Sequence, residues 1–493
     1  MCGILLVKSQ TEISLDKHLS AFGILQSRGP DFNRFQYKNN IFIGQTVLHI
    51  TGTDEYYNNP PDNFLAYNGE IYNYQELGTY RNDIEFVHDC VENNVTRLNN
   101  GWGPWAWAWT DAKTVLYATD PQGERCLYHY QDSAILIVCS EVAPILEYID
   151  NIKIDLPYKN KLWTMLEQTP WQGITRVQPG QLYHDGKITH DIDSIFNWIH
   201  PVRYNNIDEA YEEFKSIWNQ VIAAMIPSCP AALTYSGGLD SSIILNSIPE
   251  LELYTVNNTG KDPIIDCIRD FLTSQEQYKL HELKVNEQQW AEYFKELVSR
   301  LRMPIQSWSF VGQWIVAKNC KQRVVFTGLG ADELFGGYDL YRTILYSDCS
   351  HSPYSSYGDR KIWDRCLSAY HGHPGQATLL MDYIHQVVGC DAQGIDAISG
   401  AWGIETRNPF LSKPIMQFAL NLPHYFKVGD VSKPLIRRLF LERWNADLIL
   451  PKKGFTGHAN DSLPWLGIDI DSTGDRLLDW RQIAQKGFYD SNS

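Results

Sequence analysis

Residues 231–248, AALTYSGGLDSSIILNSI, hold the pattern that decides the fold. The apolar run 231–235 is typical of a buried strand, and the segment after the paired glycines is typical of a helix. A glycine-rich turn between a strand and a helix presents backbone N–H groups and the positive end of the helix dipole, which suits a chain of phosphates. The segment therefore predicts a nucleotide site, with the candidate residues Ser236, Gly237, Gly238, Asp240 and Ser241.

Asp240 is the unexpected residue in this turn, since a carboxylate alone would repel phosphate. Mg²⁺ removes the conflict, because this hard cation binds carboxylate and phosphate oxygens together. The segment TGLGADELFGGY, residues 327–338, follows a second apolar run and supplies Asp332 as another carboxylate. Alone, Asp332 and Glu333 would be interpreted as the acidic first turn of a helix. Together with the glycine-rich turn they favour a magnesium site formed by Asp240 and Asp332.

The pattern around these two turns indicates two domains. Strands alternate with helices from about residue 207, which predicts a parallel sheet covered by helices. Before about residue 195, short strands follow one another closely, which predicts antiparallel sheets. The alternating Trp105, Trp107 and Trp109 are interpreted as the core-facing side of one strand. We expect one domain over residues 1–200 and a second over 201–493.

Composition excludes several classes of function. The net charge of −16 argues against a general surface for nucleic acid or anionic membranes. The sequence shows neither a secretory leader nor an apolar run long enough to span a bilayer. Its ten cysteines form no CxxC pair and no Cys/His metal spacing. We expect a cytoplasmic protein with reduced thiols.

Cys2 is a further candidate for chemistry. If the initiator methionine is removed, Cys2 carries both a thiol and a free α-amine. An α-amine titrates near pH ~8 and a thiol near ~8.5, so the amine can accept the thiol proton without a separate histidine. The alternative interpretation is a buried cysteine in a first strand, since free cysteine is often buried.

Seven segments in this order resemble glutamine-hydrolysing asparagine synthetases, and most narrowly the divergent branch called asparagine synthetase domain-containing proteins. The resemblance implies an α/β protein with an N-terminal class II glutamine amidotransferase domain of antiparallel αββα (Ntn-hydrolase-like) type. It implies a C-terminal parallel-sheet domain of the ATP-pyrophosphatase (adenine nucleotide α-hydrolase-like) type. The segments are MCGI (1–4), SRGPD (27–31), YNGEIYN (67–73), DPQGERCLYHY (120–130), SGGLDSS (236–242), GLGADELFGGY (328–338) and AWGIETRNPFL (401–411).

In the first domain, the resemblance implies that the Cys2 thiolate attacks the side-chain amide of glutamine and releases ammonia. Asn68 and the backbone N–H of Gly69 would form the oxyanion hole. Arg28 would support the loop around the nucleophile, and Asp89 would bind the α-amine of glutamine.

In the second domain, ATP would activate a carboxylate, expected to be that of aspartate, as an acyl-adenylate. Ammonia arriving through a tunnel would then attack this intermediate and give asparagine. Val256 and Gly328 would join the 236–241 turn in binding ATP. Lys452, or Lys453 in another register, would stabilise the negative charge at the reacting phosphate. The implied partners are glutamine, ATP with Mg²⁺, and aspartate, with no nucleic acid or membrane, and a homodimer is left open.

Two positions depart from the family pattern. TVLHI (46–50) stands where the family has ERLSI, so Val47 replaces the arginine that clamps the glutamine α-carboxylate. TGLGADE (327–333) stands where the family has SGEGSDE, so Leu329 replaces a glutamate near the acceptor.

Three interpretations stay open because of these departures. They are asparagine synthesis, the same ligase chemistry on another carboxylate, and a catalytically degenerate scaffold that binds a nucleotide or a partner. The retained Cys2, Asn68, Asp240 and Asp332 favour an enzyme.

The role of Cys2 predicts that the mature chain lacks Met1, because only a terminal cysteine combines thiol and amine. Intact-mass measurement of purified, active protein should show the loss of one methionine. Active protein that retains Met1 throughout would contradict this role.

Overall fold

The computed structural model describes residues 1–50, 63–154, 167–202, 204–248, 250–257, 266–269, 272, 278–305, 307–346, 360–442 and 444. These residues form two antiparallel sheets followed by one parallel sheet. The predicted α/β fold with antiparallel and parallel parts is confirmed.

The first sheet has six strands in the order β2-β3-β1-β8-β7-β9, and the second has five in the order β11-β10-β6-β5-β4. The strands of the first sheet are β1 Gly3–Ser9, β2 Phe32–Lys38, β3 Ile41–Val47, β7 Tyr128–Gln131, β8 Ile135–Cys139 and β9 Ile174–Arg176. Those of the second sheet are β4 Phe64–Gly69, β5 Trp105–Thr110, β6 Val115–Thr119, β10 Gln181–His184 and β11 Lys187–Asp191.

The two antiparallel sheets pack face to face with helices on their outer sides. In β1, Ile4 and Leu6 contact the core between the sheets, whereas Leu5 and Val7 belong to the core on the helical side. This alternation follows from the two-residue period of a strand. The helices of this part are Leu15–Gly23, Asp83–Asn93 and Val142–Leu146.

The tryptophan strand behaves as predicted. Trp105, Trp107 and Trp109 all join the apolar cluster that includes the helix Asp83–Asn93 on the outer face of the second sheet. Trp105 and Trp107 are buried, and Trp109 lies partly buried at the edge of the cluster.

The third sheet is parallel, with the order β14-β13-β12-β15-β16. Its strands are β12 Ala231–Thr234, β13 Glu252–Asn257, β14 Lys279–Lys284, β15 Val324–Phe326 and β16 Glu405–Arg407. Because β12 and β15 are neighbours, the turns that follow them meet at the same edge. Ligands of open α/β sheets bind at this edge, beyond the carboxyl ends of the strands.

Helices cover both faces of the parallel sheet, and none of those described is long and apolar enough to cross a membrane. They are Ile207–Met225, Leu239–Ser247, Glu287–Leu301, Ser309–Asn319, Ala331–Phe335, Asp339–Tyr346, Arg360–Ala369, Pro374–Asp382, Ala392–Gly400, Lys413–Asn421, His424–Lys427 and Pro434–Leu441, with a π-helix at Tyr383–Asp391.

Candidate active sites

Cys2 lies directly before β1 and faces the end of β4 in the other antiparallel sheet. Its backbone nitrogen donates a 2.7 Å hydrogen bond to Oδ1 of Asn68. The next N–H, that of Gly3, donates to Oγ1 of Thr46 at 3.0 Å and fixes the start of the strand. With Met1 attached, burial lowers the pKa of the terminal amine to about 6. Removal of Met1 would turn the Cys2 nitrogen into the α-amine at the place where Asn68 already holds it.

The side-chain amide of Asn68 is a buried donor. Asn68 is 1% exposed, and its Nδ2 has no hydrogen-bond partner within the described part of the chain. Leaving a buried donor unpaired costs about 1–3 kcal/mol, so this group is suited to an incoming oxygen. At Gly69, a Cβ would lie 2.3 Å from the carbonyl oxygen of Pro104, so no larger residue fits. The arrangement fits the predicted oxyanion hole.

Asp83 holds the turn that follows Asn68, although sequence reasoning did not single it out. Its Oδ2 accepts hydrogen bonds from the Tyr67 hydroxyl at 2.9 Å and the Ile71 N–H at 3.1 Å. Burial raises the pKa of Asp83 to about 6. The signal in the sequence was weak, because an acidic residue in the first turn of a helix is commonly there for the helix dipole.

Asp89, the expected ligand of the glutamine amine, lies two turns further along the same helix. Tyr80 donates to Oδ2 of Asp89 at 2.6 Å, and Arg97 pairs with it at 2.6 Å. These contacts hold the pKa of Asp89 below its usual value. The structure thus brings Asp83, and not Asp89, into contact with the turn after Asn68.

Arg28 is fully buried beside Cys2. Its Nε donates to the carbonyl oxygen of Cys2 at 3.0 Å, which fits the predicted support of the nucleophile loop. The guanidinium also pairs with Glu141 at 3.4 Å and with Asp396 at 2.9 Å. Asp396 belongs to the helix Ala392–Gly400 of the second domain.

The glycine-rich turn 236–241 joins β12 to the helix Leu239–Ser247, as predicted. Gly237 has a φ of +71°, in the left-handed region that favours glycine. Ser236 Oγ accepts from the Gly238 N–H at 3.3 Å and lies 3.4 Å from Ser241 Oγ. Two hydroxyls and a helix N-terminus therefore converge on one side of the turn.

The second turn closes on the first. A Cβ on Gly328 would lie 2.9 Å from Cβ of Asp240, so the two loops are in direct contact. Val256, a further predicted ATP contact, is partly buried near the end of the neighbouring strand β13. The structure thus places all the predicted phosphate and nucleotide residues that it describes along one edge of the parallel sheet.

Lys433 connects the two predicted metal ligands. Its Nζ lies 2.6 and 2.7 Å from the carboxylate oxygens of Asp240 and 2.6 Å from Oδ1 of Asp332. Burial lowers the pKa of Lys433, but the two carboxylates outweigh burial and raise it above its usual value. The Lys433 ammonium occupies the place between the two carboxylates, whose oxygens are donors of the kind that Mg²⁺ binds together with substrate phosphates.

Lys433 is not among the residues that the sequence predicted for this site. Its backbone has a φ of +54°, which is costly for a non-glycine residue and is often found at functional sites. The only local signal was its place before Pro434 at a helix start, which does not indicate a charge partner. Lys452 and Lys453 lie outside the described residues.

The two departures from the family pattern lie in different surroundings. Val47 is fully buried at the end of β3, and its apolar side chain offers no charge to a carboxylate. Leu329 packs partly buried against the apolar core of the second domain. Nearby, the buried Glu333 accepts a 2.8 Å hydrogen bond from Tyr338, and burial together with Asp332 raises the pKa of Glu333 to about 8.

The segment 401–411 extends from the second domain into the first. Arg407 Nη2 donates to Glu70 at 2.6 Å, one residue beyond Gly69. Asn408 Nδ2 donates to Glu124 at 2.7 Å. The backbone of this segment forms β16 of the parallel sheet, while its side chains reach Glu70 and Glu124 of the first domain.

The two parts of the chain define a protein with a glutamine amidotransferase domain joined to a nucleotide-binding domain. Residues 1–192 match the family described as glutamine amidotransferase domain, and residues 217–490 match asparagine synthase. The chain belongs to the asparagine synthase family, as its motifs predicted.

Two relatives share less than a quarter of the aligned residues with this chain. The amidase chyE of Penicillium rubens is 23% identical over 405 residues, which is 70% of this chain and 58% of that protein. The glutamine-hydrolysing asparagine synthetase B of Escherichia coli is 22% identical over 487 residues, which is 89% of this chain and 78% of that protein. Among solved structures, a glutamine phosphoribosylpyrophosphate amidotransferase from B. subtilis is 14% identical, with a TM-score of 0.30 over 57% of this chain and 81% of that chain.

The buried amide of Asn68 predicts a specific catalytic defect. Asn68→Asp keeps an oxygen for the Cys2 nitrogen but replaces the Nδ2 donor by a carboxylate oxygen. Steady-state release of glutamate from glutamine should fall about 100- to 1,000-fold, the loss typical for an oxyanion-hole donor. A fall of less than tenfold in folded protein would contradict the assignment.

Loss of the Asp240 carboxylate is expected to impair the nucleotide site alone. Asp240→Asn removes one of the two carboxylates that suit Mg²⁺, so Mg²⁺-dependent release of pyrophosphate from ATP should fall about 100-fold or more. Glutamine hydrolysis should stay within about twofold. The matched control is Asp208→Asn, since Asp208 forms an exposed ion pair with Arg438 in the same domain. Unchanged ATP turnover in the Asp240 variant would refute the metal assignment.

Proposed function

We propose that this protein is an ATP-dependent glutamine amidotransferase that transfers the amide nitrogen of glutamine to an activated carboxylate. The observation that carries the proposal is the Cys2 nitrogen held 2.7 Å from Oδ1 of a buried Asn68, whose Nδ2 has no partner among the described residues. This contact supports an arrangement in which nucleophile, base and oxyanion donor would lie together, as acyl transfer needs. We assign this reaction to residues 1–200 and the ATP-dependent reaction to residues 201–493.

At the first site, the Cys2 amine would accept the thiol proton, and the thiolate would attack the carbonyl carbon of the glutamine side chain. Asn68 Nδ2 and the Gly69 N–H would bind the oxygen as it becomes negative. The C–N bond then breaks, ammonia leaves with the proton from the amine, and a thioester remains on Cys2. Water hydrolyses the thioester to glutamate and restores the thiol.

At the second site, a carboxylate oxygen of the acceptor would attack the α-phosphorus of ATP and release pyrophosphate. Ser236, Ser241 and the N-terminus of the helix Leu239–Ser247 would bind the leaving phosphates. Asp240 and Asp332 would hold Mg²⁺, which would supply positive charge to offset that of the phosphates. Ammonia would then attack the acyl carbon and displace AMP, which leaves an amide.

The need to keep ammonia away from water explains why one chain would carry both reactions. Ammonia is protonated and non-nucleophilic in neutral water, so its transfer needs a protected route. Arg407, Asn408 and Glu124, which link the two domains, are buried.

Nine cysteines of the described residues are free, which supports a reducing compartment, for which we propose the cytoplasm.

Aspartate is the proposed acceptor, with asparagine as the product. Leu329 favours a second candidate, the same chemistry on a carboxylate without a charged amine nearby. An apolar side chain cannot pair with an ammonium, and a buried unpaired ammonium costs several kcal/mol.

Two assays of pyrophosphate release separate the acceptors: aspartate with the wild-type protein, and aspartate with Leu329→Glu. Activity with aspartate in the wild type, dependent on Mg²⁺, would establish asparagine synthesis. Activity only in the glutamate variant would support the second candidate. No release in either protein, with aspartate or with a panel of other carboxylates, would favour the non-catalytic scaffold although ATP still binds.

A further inference from the structure

The guanidinium of Arg28 is satisfied mainly from outside its own domain. Its Nη2 donates to Oδ2 of Asp396 at 2.9 Å, whereas its nearest acidic partner within the first domain, Glu141, lies 3.4 Å away. Glu141 is itself engaged by Arg300 of the second domain at 2.5 and 3.3 Å. The closest ion pair of Arg28 is therefore the one with Asp396.

Asp396 is fixed between two arginines. Its side chain is 1% exposed, and its second oxygen lies 3.7 Å from Nη1 of Arg125. The helix that carries it also approaches Arg28 at Gly400, where an added Cβ would lie 2.5 Å from Nη1. The helix therefore restricts the guanidinium both through the Asp396 carboxylate and through its backbone at Gly400.

The position of the guanidinium matters for Cys2. Arg28 uses Nη2 for Asp396 and, on the same planar group, Nε for the Cys2 carbonyl at 3.0 Å. Because the guanidinium is rigid and planar, the direction of one hydrogen bond determines the direction of the other. A guanidinium that turned towards Glu141 would lose its alignment with Cys2.

We propose that Asp396, a residue of the synthetase domain, is a positioning residue for the glutaminase nucleophile and acts through Arg28. The inference rests on the proposed function, because it assumes glutamine hydrolysis at Cys2. It makes the first active site dependent on the second domain for its alignment.

The test is Asp396→Asn in the full-length chain, assayed for glutamine hydrolysis. The substitution keeps the volume and one acceptor oxygen but removes the charge that holds Arg28. We expect kcat to fall about 10- to 100-fold, the range expected for misplacement of a reacting group, with KM for glutamine within about twofold. The stabilisation of the protein by Mg²⁺ and ATP in thermal unfolding should stay as in the wild type.

The matched control is Asp193→Asn. Asp193 forms another buried ion pair between the domains, with Lys413 at 2.7 Å, but contacts neither Arg28 nor Cys2. Both variants should lower the unfolding temperature, whereas only the Asp396 variant should lower kcat. In an Arg28→Met background, Asp396→Asn should change kcat by less than about twofold, since the two residues act in series.

Gly400→Ala provides a second route if the Asp396 variant does not fold. Its added methyl group would displace the Arg28 guanidinium without removing any charge, so kcat should again fall with KM retained. An unchanged kcat in the folded Asp396 or Gly400 variant, or an equal fall in the Asp193 control, would overturn the positioning role. Absence of Cys2-dependent hydrolysis in the wild type would instead overturn the proposed function together with this inference.

Discussion

The structure depends on burial of charged and polar side chains from residues 396–408 inside the amidotransferase domain. Asp396 meets Arg28, Arg407 meets Glu70, and Asn408 meets Glu124. A buried charge that loses its partner costs about 3–5 kcal/mol, so none of the ion pairs can be separated cheaply. The two domains are thus held in one relative orientation by pairs whose partners lie hundreds of residues apart in the chain.

The same segment connects the two candidate sites through hydrogen bonds. Asp120 accepts from the N–H groups of Trp105, which pairs with Gly69, and Glu124 at 3.2 and 2.9 Å. Glu124 accepts from Asn408, whose Oδ1 accepts from the Thr327 hydroxyl at 2.5 Å. Thr327 begins the turn that carries Asp332. Buried hydrogen bonds therefore run from the region of the first candidate site to the turn that carries Asp332.

The order of the strands in the parallel sheet determines which residues meet at the second candidate site. Since β12 and β15 are adjacent and parallel, Asp240 and Asp332 come together although 92 positions separate them. Lys433 completes this group from a third segment and pairs with both carboxylates. The two carboxylates can lie close together in a partly buried place because the Lys433 ammonium offsets their negative charge before any substrate binds.

The sequence by itself determined the local features of this protein. The glycine-rich turn between strand and helix, the alternating tryptophans and the cysteine at position two follow from backbone preferences and side-chain chemistry within a few residues. The family and the two kinds of sheet followed from the order of such features. Only the tertiary structure decided that Asp83 holds the turn after Asn68, that Lys433 joins the two acidic turns and that Asp396 reaches Arg28. The physical reason is that each of these roles depends on a contact between elements distant in the chain, and nothing in the local sequence records which partner the fold will bring to a buried charge.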